Sequence, residues 1–171
     1  MLIDNHWKPE LKRLCREITF WKKRTAFYKY AEYRLSRALL YSAIILRKIV
    51  EDENEVKAIL KKNNCPMPKL TVINSEIKSM RCPYTAEEGW TMRGKLCAQN
   101  YGKGTEISLQ TKDVCNWLIH SYVWGIAHYM NEKKYAGFFV SSDFDKEKFV
   151  HFISFDEWIK LIKFVVENAV F

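Results

Sequence analysis

The chain has 171 residues, of which 48% are hydrophobic and 15% aromatic, with only six glycines and four prolines, and a formal charge of +8. So apolar a composition excludes a disordered or low-complexity polymer, and so few turn residues argue against an all-β sandwich. The length suits one domain spanning 1–171, and the basic balance favours a polyanionic partner, chiefly RNA, DNA or an anionic membrane surface, through counterion release.

Pro9 suits the first turn of a helix, and no glycine or further proline interrupts the chain from there to about Asn63. Residues 9–25 carry Lys12, Arg13, Arg16, Lys22, Lys23 and Arg24, interleaved with Leu11, Leu14, Ile18, Phe20 and Trp21. Such a charge run reads first as a solvated helix face and second as a nucleic-acid surface. A second helix is expected over 27–51, where Leu35, Leu39, Ser42, Leu46 and Ile49 recur at spacings of three and four. Leu40, Ala43, Ile44 and Val50 widen that stripe, which implies burial between neighbours. A short helix over Glu53–Lys62 follows, and Cys65-Pro-Met-Pro stops it.

Leu70, Val72, Ile73 and Ile77 predict short strands near 70–82. Residues 82–104, with Pro83, Gly89, Gly94, Gly102 and Gly104, read as irregular. Thr111 or Asp113 can cap a third long helix over 112–131, whose apolar residues run almost around its circumference and place it centrally. On that helix Trp117, Ser121, Trp124 and His128 would form a core stripe. A β-hairpin near 135–153 follows, with strands Tyr135–Val140 and Phe149–Ile153 around a polar turn. Ser154-Phe-Asp-Glu157 is a capping box that opens a final helix. The expected class is α+β, mainly α: a bundle of four to five helices with short strands and one hairpin.

Cys15, Cys65, Cys82, Cys97 and Cys115 form no C-x-x-C pair, so no zinc ribbon or redox motif is signalled. Neither a metal nor a cofactor is implied. The N-terminus lacks an apolar signal core, and the best apolar run, Ala38–Leu46, is too short to span a bilayer. A cytoplasmic protein without membrane association is expected.

One segment concentrates the chemistry. Asn116 and His120 are four apart and share a helix face, so the amide can orient the imidazole. The plain reading is a satisfied polar pair tying two helices together; the sharper one makes His120 a general base or a phosphate contact.

The run Cys115-Asn-Trp-Leu-Ile-His-Ser-Tyr122 resembles the motif of HEPN domains, helical bundles of bacterial toxin–antitoxin and defence systems. That motif is Arg-x4-His, often with Asn after the Arg and Tyr two residues past the His. Asn116, His120 and Tyr122 match it, and Cys115 stands where the arginine belongs. The long helix carrying Arg34, Arg37, Arg47 and Glu51 is similar to the early helix of such bundles. The resemblance implies a metal-independent ribonuclease site at His120, Asn116 and Tyr122, in that family usually built across a dimer interface. The lost guanidinium implies weak or absent cleavage, unless Arg34, Arg37 or Arg47 replaces it. Lys12, Arg13 and Arg16 join those three arginines as RNA-binding candidates. The alternative is a non-catalytic protein-interaction subunit of antitoxin or assembly type, docking through its aromatic surface or hairpin edge.

Overall fold

The computed structural model describes residues 7–24, 29–52, 56–57, 61, 66–76, 104–121, 123–128, 134–141 and 149–168. Four helices, α1 (Trp7–Lys22), α2 (Lys29–Glu51), α3 (Thr111–His120) and α4 (Phe155–Asn168), pack with five strands. The strands are β1 (Leu70–Glu76), β2 (Thr105–Leu109), β3 (Val123–His128), β4 (Tyr135–Ser141) and β5 (Phe149–Ser154). They form one antiparallel sheet in the order β2-β1-β5-β4-β3. The α+β class expected from the sequence is what the chain adopts, and β4 and β5 pair as the hairpin with Phe138 opposite Ile153.

Alternation along the strands sends one set of side chains to the helices. Leu70 and Val72 of β1, Ile126 of β3, Phe138 and Val140 of β4 and Ile153 of β5 join the helical residues in one core. The opposite face carries Phe139 and Phe152, whose rings lie over the α-carbons of Gly125 and Gly137. A methyl group built on Gly125 would come within 2.6 Å of the Phe139 ring, and one on Gly137 within 2.8 Å of the Phe152 ring. These glycines let two aromatic rings lie flat on the sheet.

The helices are laid down by their apolar stripes. Leu11, Leu14 and Ile18 of α1, and Leu35, Leu39, Leu46 and Ile49 of α2, are fully or almost fully buried. Trp158 of α4 lies at the centre, edge-on to Phe138 with ring centroids 5.5 Å apart. Its indole N–H donates to the Ser42 hydroxyl at 2.9 Å, and that hydroxyl donates to the Leu39 carbonyl. Ser42 is thus a buried polar residue with its hydrogen bonds made, which is what burial of a hydroxyl demands. At the start of α4 the Glu157 N–H donates to the Ser154 hydroxyl at 3.1 Å, one half of the expected capping box, while the Glu157 carboxylate accepts from the Thr71 N–H at 3.4 Å instead of reaching back.

The third helix departs from expectation. It ends at His120 instead of continuing to 131, and the chain re-enters the sheet as β3. The reason is periodicity: Val123-Trp-Gly-Ile-Ala-His128 is rich in β-branched and aromatic residues around a glycine, a strand composition that an all-round apolar helix can mimic. Trp124 and His128 therefore lie on β3, and the helical stripe expected through Trp117 and Ser121 does not exist. Nor do Thr111 or Asp113 cap α3. The N-cap is Gln110, without a side-chain cap, and the Thr111 hydroxyl donates to the Pro68 carbonyl. Strand β2 begins just after the stretch read as irregular, in residues for which the sequence predicted no element. Most of the expected helix at Glu53–Lys62, Tyr122, the hairpin turn and residues 77–103 lie outside the described residues.

This topology positions the site. Strands β2 and β3 are opposite edges of the sheet, four strand spacings or about 19 Å apart. Helix α3, ten residues or about 15 Å long, connects them and lies against the sheet. There Trp117 stacks on His151 of β5, with centroids 4.0 Å apart and planes 20° from parallel. The other side of α3 packs along α2.

Candidate functional site between two helices

Lys112, Asn116 and His120 recur every four residues and so share one side of α3. Arg47 and Glu51 stand four apart on α2 and face them. The Arg47 guanidinium bridges the two helices. Its Nε donates to Glu51 Oε1 at 3.0 Å, and its Nη1 lies 3.0 Å from His120 Nε2. A guanidinium has donors only, so Nε2 must supply the lone pair and the ring proton must sit on Nδ1. His120 is therefore held as the neutral Nδ1–H tautomer, with its basic nitrogen turned to a cation and its ring exposed to solvent.

The electrostatics follow from that triad. The hydrogen bond from Arg47 holds the Glu51 carboxyl below the usual carboxylate range, with further help from the charges of Arg47, Lys112 and Lys48. Arg47 and Glu51 remain about one-third exposed, so a solute can reach both.

Cys115, at the position of the motif arginine, is fully buried in the core beside this pair. Burial pushes its thiol far up, and the charges of Arg47 and Glu51 act on it in opposite senses. Asn116 does not orient the imidazole, contrary to expectation. Its Oδ1 is buried without a hydrogen-bond partner among the described residues, and the partner of His120 is Arg47.

Comparison of the chain with protein-family models, with curated proteins and with solved structures finds no match.

Of the residues singled out in the sequence, the fold brings together His120, Asn116 and Arg47. Tyr122 lies outside the described residues. The remaining basic candidates stand elsewhere. Arg13 pairs with Glu10 and Glu17 on its own helix, and Arg34 pairs with Glu17 across to α1. Arg37 lies over the Tyr41 ring, 5.4 Å from its centroid. Arg34 precedes Arg47 by thirteen residues, about 20 Å along α2. The role of Glu51 in fixing Arg47 was legible in principle as an i, i+4 Arg–Glu pair; the role of Lys112 was not, because it depends on how α3 packs on α2. Among the described residues no group of three or more His, Cys, Asp or Glu could hold a metal ion, and no helix is long and apolar enough to cross a membrane.

Proposed function

We propose that the chain is an RNA-associated domain in which Arg47 and His120 form a phosphate-contacting pair, with ribonuclease activity that is weak at most. The observation that carries this reading is the 3.0 Å approach of Arg47 Nη1 to an exposed His120 Nε2. The charge of +8 supports the choice of a polyanion. Bound RNA would offer Nη1 a phosphate oxygen, and the guanidinium would exchange its imidazole contact for an ionic one. That exchange frees the Nε2 lone pair to take the 2′-hydroxyl proton. The 2′-oxygen then attacks phosphorus with Arg47 stabilising the charge on the phosphorane, and the P–O5′ bond breaks to leave a 2′,3′-cyclic phosphate and a 5′-hydroxyl that takes its proton from water.

The HEPN-like resemblance enters the proposal in this restricted form, together with the toxin–antitoxin or defence setting it implies. Its support is that α2 supplies the guanidinium that the motif lacks at Cys115. In this chain the motif helix ends at His120 and a five-stranded sheet accompanies the helices. The test is incubation of single-stranded RNA with wild-type protein, His120→Ala and Arg47→Ala, in the presence of a chelator. Salt-dependent RNA binding by the wild type, weakened in both variants, is the expected result. Equal cleavage by all three, or no salt-dependent binding by any, sinks the reading.

A specific feature also favours the protein-interaction alternative. Tyr30, Tyr33, Leu40 and Tyr41 are 53%, 59%, 37% and 45% exposed along α2, more large apolar surface than one helix usually shows to water. A stable complex whose affinity ignores salt but falls in Tyr33→Ala would select that reading.

A further inference from the structure

Helix α4 runs antiparallel to α1. Lys22 pairs with Asp156 near one end, and Lys163 stands beside Cys15 further along. Outside this contact two hollows, of about 670 Å³ and 350 Å³, lie side by side with Cys15, Arg16 and Lys163 common to both, and together they form a groove in two parts. Five cations line it: Lys12, Arg16, Lys23, Arg24 and Lys163, against one carboxylate, Glu167. Arg13, Arg34 and Arg47 are each paired to a carboxylate, whereas none of these five is paired to one among the described residues. The groove therefore holds charge that the fold itself has not neutralised.

An aromatic ring stands at the same place. Phe20 lines the larger hollow and is 49% exposed. Arg24 lies over the ring, 4.4 Å from its centroid, and Trp21 meets it edge-on. Fixed by these neighbours, Phe20 is pre-ordered for stacking and loses little freedom when a flat group covers it.

We infer that this groove between α1 and α4 is a binding track for single-stranded RNA, with Arg16 and Lys163 on the phosphates and Phe20 stacking on a base. Single strands suit it because a base must be unstacked to reach Phe20, and because a cationic groove with an aromatic platform tolerates any sequence. A membrane surface suits it less. Of the other apolar residues of α1, Leu11, Leu14, Cys15 and Ile18 are buried in the core and Trp7 and Trp21 pack partly buried against it, which leaves little apolar area to enter a bilayer. The inference rests on the RNA reading above for the choice of polymer, but on different residues, since the groove is lined by α1, α4 and the residues just after α1 and not by α2.

Fluorescence anisotropy with a labelled oligouridine, at a series of salt concentrations, tests it on the full chain. Variants are Phe20→Ala, Phe20→Leu, Phe20→Trp and the double substitution Arg16→Gln/Lys163→Gln, each checked for native circular dichroism. Phe20→Ala and Phe20→Leu should both weaken binding, by about 5- to 150-fold for the loss of one stacked base, while Phe20→Trp retains it. The double variant should weaken binding and flatten the slope of log affinity against log salt by about 1.4, for two lost single-strand phosphate contacts. Wild-type affinity in all groove variants, with binding lost in Arg47→Ala and His120→Ala, overturns the groove and leaves the RNA reading standing. No RNA binding by the wild type overturns both. Capture by vesicles rich in anionic lipid, lost in Phe20→Ala and without any RNA binding, overturns it in favour of a membrane surface.

Discussion

Arg47 and His120 are 73 residues apart in the chain, and their Nη1 and Nε2 atoms are 3.0 Å apart in the fold. The contact fixes a tautomer, because a guanidinium can only donate. Long-range imidazole ¹⁵N NMR above neutral pH should show His120 as the Nδ1–H form, and Arg47→Ala should release it toward a mixture. An Nε2–H signature in the wild type would contradict the geometry.

The same arginine sets the titration of Glu51. Its carboxyl lies below the ordinary value because Arg47 hydrogen-bonds the ionised form. A depressed folded-state value contributes stability that is present above the unfolded carboxylate value and is lost as pH falls through the folded one. Side-chain NMR titration should therefore find Glu51 titrating low in the wild type and in the ordinary carboxylate range in Arg47→Gln. Both groups are exposed, so high salt should shrink the difference.

Cys115 occupies the place of the motif arginine yet cannot be exchanged for it. The side chain is fully buried among apolar residues. Cys115→Arg should unfold or severely destabilise the protein instead of restoring a nuclease, because a guanidinium there has no water and no room. Cys115→Ala should fold. In the native wild type, burial keeps the thiol protonated, so iodoacetamide should leave Cys115 unmodified until denaturant is added; rapid native labelling of its peptide, read by mass spectrometry, would count against the packing described.

Ser42 gives the core its specificity. Its hydroxyl is the acceptor for the Trp158 indole N–H, and both residues are fully buried. Ser42→Ala leaves that N–H without its acceptor and should cost about 1–3 kcal/mol in urea unfolding. Trp158→Ala should cost about 3–5 kcal/mol, as a large cavity replaces the ring. A Ser42→Ala variant as stable as wild type would show that water or another acceptor takes over.

The two sheet glycines should differ in tolerance. A methyl group on Gly137 meets the Ile153 carbonyl oxygen at 2.2 Å, whereas one on Gly125 meets only the Phe139 ring. Backbone cannot step aside as a ring edge can, so Gly137→Ala should lose more stability than Gly125→Ala, at or above the upper end of about 1–3 kcal/mol. Thermal unfolding of both variants decides the order.

Much of this fold is local in origin, and to that extent the sequence determined it. The three-and-four spacing of Leu35, Leu39, Leu46 and Ile49 dictates a buried face on α2, and the Ser154–Glu157 box starts α4 where it should. Composition and alternation likewise determined the α+β class and the hairpin of β4 and β5. Periodicity failed at His120, where a greasy helix and a short apolar edge strand look alike over a few residues and only pairing with β4 chose the strand. The site itself was decided by tertiary structure. Its residues were visible one by one, but the partner of an imidazole is set by which helix packs beside it, and no local rule joins position 47 to position 120. The cationic groove is of the same kind. Arg13 and Arg16 look alike in the chain, yet one faces Glu10 and Glu17 while the other lines an open channel beside Lys163. Charge is written residue by residue, whereas its neutralisation depends on distances that only packing fixes.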